Sequence, residues 1–146
     1  MKRVVWLSIV LMLVLAACAG GGGGEQAPAE QPGAAVTGDP KRGETLFKQS
    51  TIGAAPGCAA CHSLEPGRVL VGPSLAGVAT RAEQIIQSDD YTGKATTVEE
   101  YLRESIVDPD VYAPPGFSPG SMYPNYGKDL TEQQIADLVA FLKTLK

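Results

Sequence analysis

Five consecutive residues, Cys58-Ala59-Ala60-Cys61-His62, constrain this chain more than any other feature. On a single helical turn, thiols three positions apart face the same way and the imidazole that follows lies close beside them. That arrangement lets two cysteines form thioethers with the two vinyl groups of one porphyrin while the histidine reaches the iron. Ala at both intervening positions keeps the turn small. Two other chemistries use part of the pattern. A disulfide redox centre also separates its cysteines by two residues, but it has no need of the following histidine. A zinc site takes about four ligands, and beyond these three residues the chain offers no further His and only one further Cys, Cys18. Covalent haem is the reading that uses all three side chains.

A large apolar cofactor also answers a shortage in the composition. Hydrophobic residues make up 44% of the 146 residues but aromatics only 6%, and much of the apolar fraction is Ala or lies in the first 17 residues. One small domain is all the remaining length allows, and its side chains supply few bulky core groups. The formal charge is -4, which argues against nucleic acid as a partner, because nucleic acid is held by Lys and Arg.

The amino terminus reads as an export signal. Lys2 and Arg3 precede an uncharged run from Val4 to Ala17, followed at once by Cys18 and a Gly run. That run is short of the roughly 20 residues a membrane span takes. Leu15-Ala16-Ala17-Cys18 resembles a bacterial lipobox, in which the cysteine is diacylated and becomes the mature amino terminus. Residues 19–38 are Gly, Ala, Pro, Glu and Gln apart from Val36 and Thr37, with almost nothing to bury, the composition of a flexible linker. Such a linker reaches about 25 Å on average and about 70 Å at full stretch. The expected organisation is a signal peptide over 1–17, a lipidated cysteine and linker over 18–38, and a folded domain over 39–146, held on the extracytoplasmic (periplasmic) face of the membrane.

Within that domain the periodicity predicts three main helices and no clear strand. Asp39-Pro40 reads as N-cap and first-turn proline, with Gly43 and Phe47 four apart on one face. Thr97 with Glu100 opens a second helix, whose Val98, Tyr101, Leu102, Ser105 and Ile106 share a face and which Asp108-Pro109 ends. Thr131 with Gln134 opens a third, with Ile135, Leu138, Val139, Leu142 and Leu145 at helical spacing and Phe141 alongside. Residues 81–96 carry no guiding pattern, and Asp89-Asp90 reads as a solvated loop.

From the haem motif and these helices the chain resembles the small monohaem class I cytochrome c family over about residues 39–146, roughly three quarters of its length. The resemblance implies an all-α cytochrome c fold, three main helices plus loops around one covalently bound haem c, with the first helix packing its Gly and aromatic positions on the last. It implies that Gly72-Pro73-Ser74-Leu75-Ala76-Gly77 is the segment after the haem motif in which the Pro73 carbonyl accepts the His62 ring N–H. A plain turn is the alternative there. For the second iron ligand, His62 is the lone histidine, and Met1 and Met12 leave with the signal. Met122 therefore remains, in the proline-rich stretch Pro114–Pro124, where the family too presents its methionine. A gap-filling methionine is the bland alternative. Tyr112, Tyr123, Tyr126 and Arg68 are candidates to hydrogen-bond a haem propionate or simply to pack.

The expected site is thus Cys58, Cys61, His62, Pro73 and Met122 around haem c, with His62 and Met122 on the iron and Cys18 lipidated. The function this implies is one-electron transfer rather than catalysis. A Met/His pair favours ferrous iron and suits a carrier between a quinol-oxidising complex and a terminal oxidase or photosynthetic reaction centre. Lipoprotein members of the family occur as free carriers and as subunits of respiratory assemblies, alternative complex III among them. The rivals are a haem enzyme or gas sensor with a displaceable Met122, and a redox-silent lipoprotein with a disulfide.

Overall fold

Helix α1 (Pro40–Phe47) begins where the sequence signals it: the Asp39 carboxylate accepts from the backbone N–H of Lys41 at 2.8 Å and of Arg42 at 3.2 Å, with Pro40 in the first turn. Such a cap contributes about 1 kcal/mol. The computed structural model describes residues 36–146. The expected signal peptide, the lipidation at Cys18 and all but the end of the linker lie outside the described residues. That end is docked: the Thr37 carbonyl accepts from Gln133 Nε2 at 2.9 Å, and a Cβ on Gly38 would stand 2.1 Å from the Ala136 carbonyl oxygen.

After α1 a minimal antiparallel ladder, β1 (Thr51–Ile52) with β2 (Ala55–Pro56), turns the chain into the one-turn helix α2 (Cys58–Cys61). Helix α3 (Val78–Ile85), helix α4 (Val98–Val107), the one-turn α5 (Tyr126–Asp129) and helix α6 (Glu132–Leu142) follow. Both α4 and α6 open with full capping boxes, Thr97 with Glu100 and Thr131 with Gln134. The fold is all-α. Its three expected main helices are α1, α4 and α6; α3, the one-turn α5 and the two-residue strands are additions to that expectation. Helix α3 carries no side-chain cap. Its N-cap, Gly77, sits at φ +68, and the Ala79 N–H is satisfied by the Leu145 carbonyl at 3.0 Å, so the far end of the chain starts this helix.

The frame is the crossing of α1 with α6, the most extensive helix contact. Gly43 makes it possible: a Cβ there would lie 1.9 Å from the Asp137 carbonyl oxygen. One turn on, Phe47 meets Phe141 with ring centroids 5.5 Å apart. Phe47, Ile135 and Leu138 are the most completely buried large side chains. Burial of each such group is worth about 1.5–3 kcal/mol. Asp137 is buried among them, with 4% of its surface exposed. Its oxygens accept from Arg42 Nε and Nη2, both at 2.8 Å, from the Asp39 N–H at 2.7 Å and from Gln133 Nε2 at 2.9 Å.

Candidate haem site

Gly57, which precedes the first cysteine, is pressed so closely on residue 49 that a Cβ would come within 1.7 Å of the Gln49 carbonyl oxygen. Its N–H is bonded to the Ser50 carbonyl at 2.9 Å. This anchors the start of α2, on whose single turn Cys58 and Cys61 both stand as free thiols. The Cys58 thiol is pushed up to about 11, first by burial and to a lesser degree by Cys61, against a lowering backbone hydrogen bond. It is therefore protonated at neutral pH. A disulfide-exchange centre works through a low-pKa thiolate, so this environment suits a thiol that becomes part of an apolar wall.

His62 follows as the C-cap of α2 in extended backbone. Its Nδ1 lies 2.9 Å from the Pro73 carbonyl oxygen. A carbonyl can only accept, so Nδ1 carries the proton and Nε2 keeps its lone pair. Burial holds the ring's pKa below the ordinary histidine value, more strongly than the Pro73 bond raises it. The imidazole is thus neutral, the form that binds a metal. Gly72 packs against the ring face: a Cβ there would stand 2.5 Å from Cε1. The loop is stitched in place by Gly72 N–H to the Cys61 carbonyl at 2.9 Å and Leu75 N–H to the Ser63 carbonyl at 2.8 Å.

All five expected residues, Cys58, Cys61, His62, Pro73 and Met122, line one predominantly apolar cleft of about 450 Å³. Pockets that hold organic cofactors run from about 300 to 1,000 Å³. Helices α1, α3, α4 and α6 supply its walls through residues such as Phe47, Val78, Leu102 and Leu138. Met122, half-buried, comes from the loop between α4 and α5, whose turns close through Phe117 N–H to the Pro114 carbonyl at 3.0 Å and Gly120 N–H to Asp110 Oδ1 at 2.6 Å. Two thiols, a neutral imidazole with a free Nε2, a thioether and an apolar interior are the donor set and the shape that a covalently held haem requires. The residues fit the group.

All three tyrosine candidates, Tyr112, Tyr123 and Tyr126, line the cleft, and they differ in what they bond or pack against. Tyr126 donates to the Pro56 carbonyl at 2.5 Å, which ties α5 to β2 behind Cys58, and burial pushes its pKa up to about 12. Tyr123 donates to Asp129 at 2.6 Å, and that bond raises its pKa. Arg68 lies outside the cleft lining, paired with Glu65 at 2.8 Å. Tyr112 lines the cleft in an edge-packed cluster with Tyr91, at 5.4 Å, and Tyr101, at 6.4 Å. Arg81 is a cleft residue that sequence reasoning missed: from α3 it lines the cleft and donates to the Ser74 carbonyl at 2.6 Å and to the Ala76 carbonyl, bracing the segment behind Pro73. An arginine on an unrecognised helix carries no mark of that role.

The family described as Cytochrome c matches residues 40–146. The chain is 36% identical over 120 residues to cytochrome c2 of Rhodopila globiformis, a match covering 78% of this chain and 100% of that protein. It is 30% identical over 115 residues to cytochrome c of Ginkgo biloba, covering 75% of this chain and 90% of the relative. A third relative, the cytochrome c-type cyt cy of Rhodobacter capsulatus, is 31% identical over 115 residues, covering 77% of this chain and 52% of that protein. The family match takes in α1 through α6 and every residue of the cleft.

Proposed function

The chain belongs to the cytochrome c family, and on that premise we propose that it is a one-electron carrier, lipid-tethered to the outer face of the cell membrane, running from a quinol-oxidising complex to a terminal oxidase or photosynthetic reaction centre. Its cofactor is a covalently bound haem c, which supplies an iron that takes up and gives back one electron with no substrate bond made or broken. The protein's own residues attach, orient and shield it. Cys58 and Cys61 hold the two thioethers. His62 gives its Nε2 to the iron, and the Pro73 carbonyl fixes the ring and strengthens it as a donor. Met122 would supply a second ligand to the iron, a thioether that favours the ferrous state and raises the potential over a pair of imidazoles. Apolar walls keep water from the centre, so little reorganises when the charge changes. The observation that carries this reading is the His62 ring, neutral and fixed on Pro73 at 2.9 Å, in one cleft with Cys58, Cys61 and Met122.

The tether rests on the lipobox at Cys18 and the linker that follows. Among the described residues no helix is long and apolar enough to cross a membrane.

The purified full chain tests the proposal. Its colour should resist acid and organic extraction, a potentiometric titration should follow a single one-electron step, and the reduced protein should bind carbon monoxide slowly or not at all. Immediate uptake of carbon monoxide would mean an open iron and a haem enzyme or sensor in place of a carrier. Wild-type protein should fractionate with membranes and Cys18→Ala should not carry the lipid; a form beginning near Asp39 that still stayed in the membrane without partner proteins would overturn the tether. Copurification in mild detergent distinguishes a free carrier from a subunit of a respiratory complex.

A further inference from the structure

Met122, the second iron ligand of the proposed function, is followed at once by a side chain that leaves the loop and fastens to the next helix. The Tyr123 hydroxyl donates to Asp129 Oδ2 at 2.6 Å. That length is typical of an O–H donor on a charged carboxylate, roughly twice as strong as a neutral pair. The ring is half-buried, lines the cleft and packs edge-on against Tyr126 with centroids 5.0 Å apart. Tyr123 stands directly before Pro124, so its backbone is confined to extended conformations and its connection to Met122 is stiff.

Helix α5, which carries Asp129, is anchored to other parts of the protein. Tyr126 is bonded to the Pro56 carbonyl at 2.5 Å, and Leu130, the C-cap of the helix, is buried. Gly127 meets the end of α4 so closely that a Cβ would stand 3.0 Å from Val107 Cβ. On the other side of Met122, Asp110 Oδ1 accepts from the Gly120 N–H at 2.6 Å. The two fastenings differ. Asp110 belongs to the loop and moves with it, whereas Asp129 ties the loop to α5 and through it to the frame. Met122 cannot withdraw from the cleft without moving Tyr123, and that movement works against the bond to Asp129.

We propose that Tyr123 and Asp129 form a latch that sets how readily Met122 gives up the iron, keeping that position shut to outside ligands. The inference rests on the reading of Met122 as the second ligand. Both are positioning residues, which act through Met122 and not on the iron. The step they slow is ligand exchange: Met122 leaves the iron, an outside donor takes its place, and no electron or proton is transferred. A carrier keeps that position shut, whereas a sensor must open it.

The test is imidazole uptake by ferric holoprotein, the full chain in mild detergent, followed by stopped-flow absorbance at imidazole concentrations where the rate levels off at the release of Met122. Tyr123→Phe removes the donor and keeps the ring. It should raise that limiting rate about tenfold, the size of one charge-assisted hydrogen bond at an exposed site. Asp129→Ala should match it, and Asp129→Asn, which keeps an acceptor, should fall between. Tyr123→Phe combined with Asp129→Ala should be no faster than either alone, because both break the same bond. Asp137→Asn, which weakens the α1–α6 crossing, should leave the rate unchanged. A Tyr123→Phe rate within twofold of wild type, a double variant in which the two effects multiply, or an equal rise in Asp137→Asn would overturn the latch. Met122→Ala tests the premise in the same assay and should take up imidazole at once. Uptake as slow as in wild type, or wild-type uptake that is itself immediate, would show that Met122 does not hold the iron, and the latch would fall with that reading.

Discussion

The α1–α6 crossing and the loop between α4 and α5 are held by different means. At the crossing, every close approach is answered from within the protein: Gly43 against the Asp137 carbonyl, Phe47 against Phe141, Arg42 and the Asp39 N–H on the Asp137 carboxylate. The loop contains Pro109, Pro114, Pro115, Pro119 and Pro124, and most of its hydrogen bonds close within itself. Proline removes conformational freedom without adding partners. Its inner face, with Met122, borders the cleft. The frame therefore has contacts of its own besides those it makes to the cleft through Phe47 and Leu138, while the loop is stiff and, on the proposed reading, would take its position from what Met122 holds.

The largest effect should come from removing the occupant of the cleft altogether. Cys58→Ala with Cys61→Ala should give a protein without covalent haem and mostly unfolded by circular dichroism, because the cleft walls would then face water instead of a porphyrin. A colourless variant with a native-like cooperative melt would show that the frame needs no cofactor, and would make the comparison absolute.

Next comes the frame itself. Gly43→Ala places a methyl group against backbone rather than a flexible side chain, so the helices must separate, at a cost of about 3 kcal/mol for overpacking. Urea unfolding of the holoprotein reads this directly. Loss of less than about 0.5 kcal/mol, the scatter of surface substitutions, would mean that α1 and α6 slide freely.

Met122→Ala should reverse that pattern, moving electronics more than stability. The midpoint potential should fall by on the order of 100 mV, and carbon monoxide should bind the reduced protein quickly. An unchanged potential would return Met122 to a space-filling role.

What could be read from the sequence follows the same division. Helices α1, α4 and α6 were legible because their caps are local: Asp39-Pro40, Thr97 with Glu100, and Thr131 with Gln134 each sit within four residues of the helix they start. Helix α3 was not, since its Ala79 N–H is satisfied from Leu145, far along the chain, and its buried positions include small Ala79 and Ala82. The haem motif is a five-residue signal. The Pro73 carbonyl was reached through family resemblance alone, and its 2.9 Å contact with His62 gives that expectation a geometry. Exposure of Val69–Val71 is invisible in a sequence, where an apolar run reads as core. Asp137 is the same problem inverted, an acid within an apolar stripe whose partner lies 95 positions away.

Asp137 also gives the smallest prediction and the one with a definite sign. Burial alone would raise its pKa, but the hydrogen bond from Arg42, those from the Asp39 N–H and Gln133, and the guanidinium charge together hold it below the ordinary carboxylate value. A carboxylate whose folded pKa is depressed contributes stability that is complete above its unfolded pKa, near 4. That contribution is lost as pH falls through the lower folded value. The acid limb of the stability curve should therefore carry one proton taken up on unfolding that traces to this residue. Asp137→Asn keeps the shape and an acceptor but removes the charge. Because Arg42 remains 56% exposed and can turn to water, the loss at neutral pH should be about 1 kcal/mol, well short of the ~3–5 kcal/mol for breaking a fully buried pair. As pH falls below the unfolded value near 4 and on through the lower folded value, the difference between wild type and variant should shrink towards zero, measured by urea unfolding at each pH. A difference that stayed constant through that range would mean that the Asp137 carboxylate works in the crossing as a shaped acceptor and not as a charge.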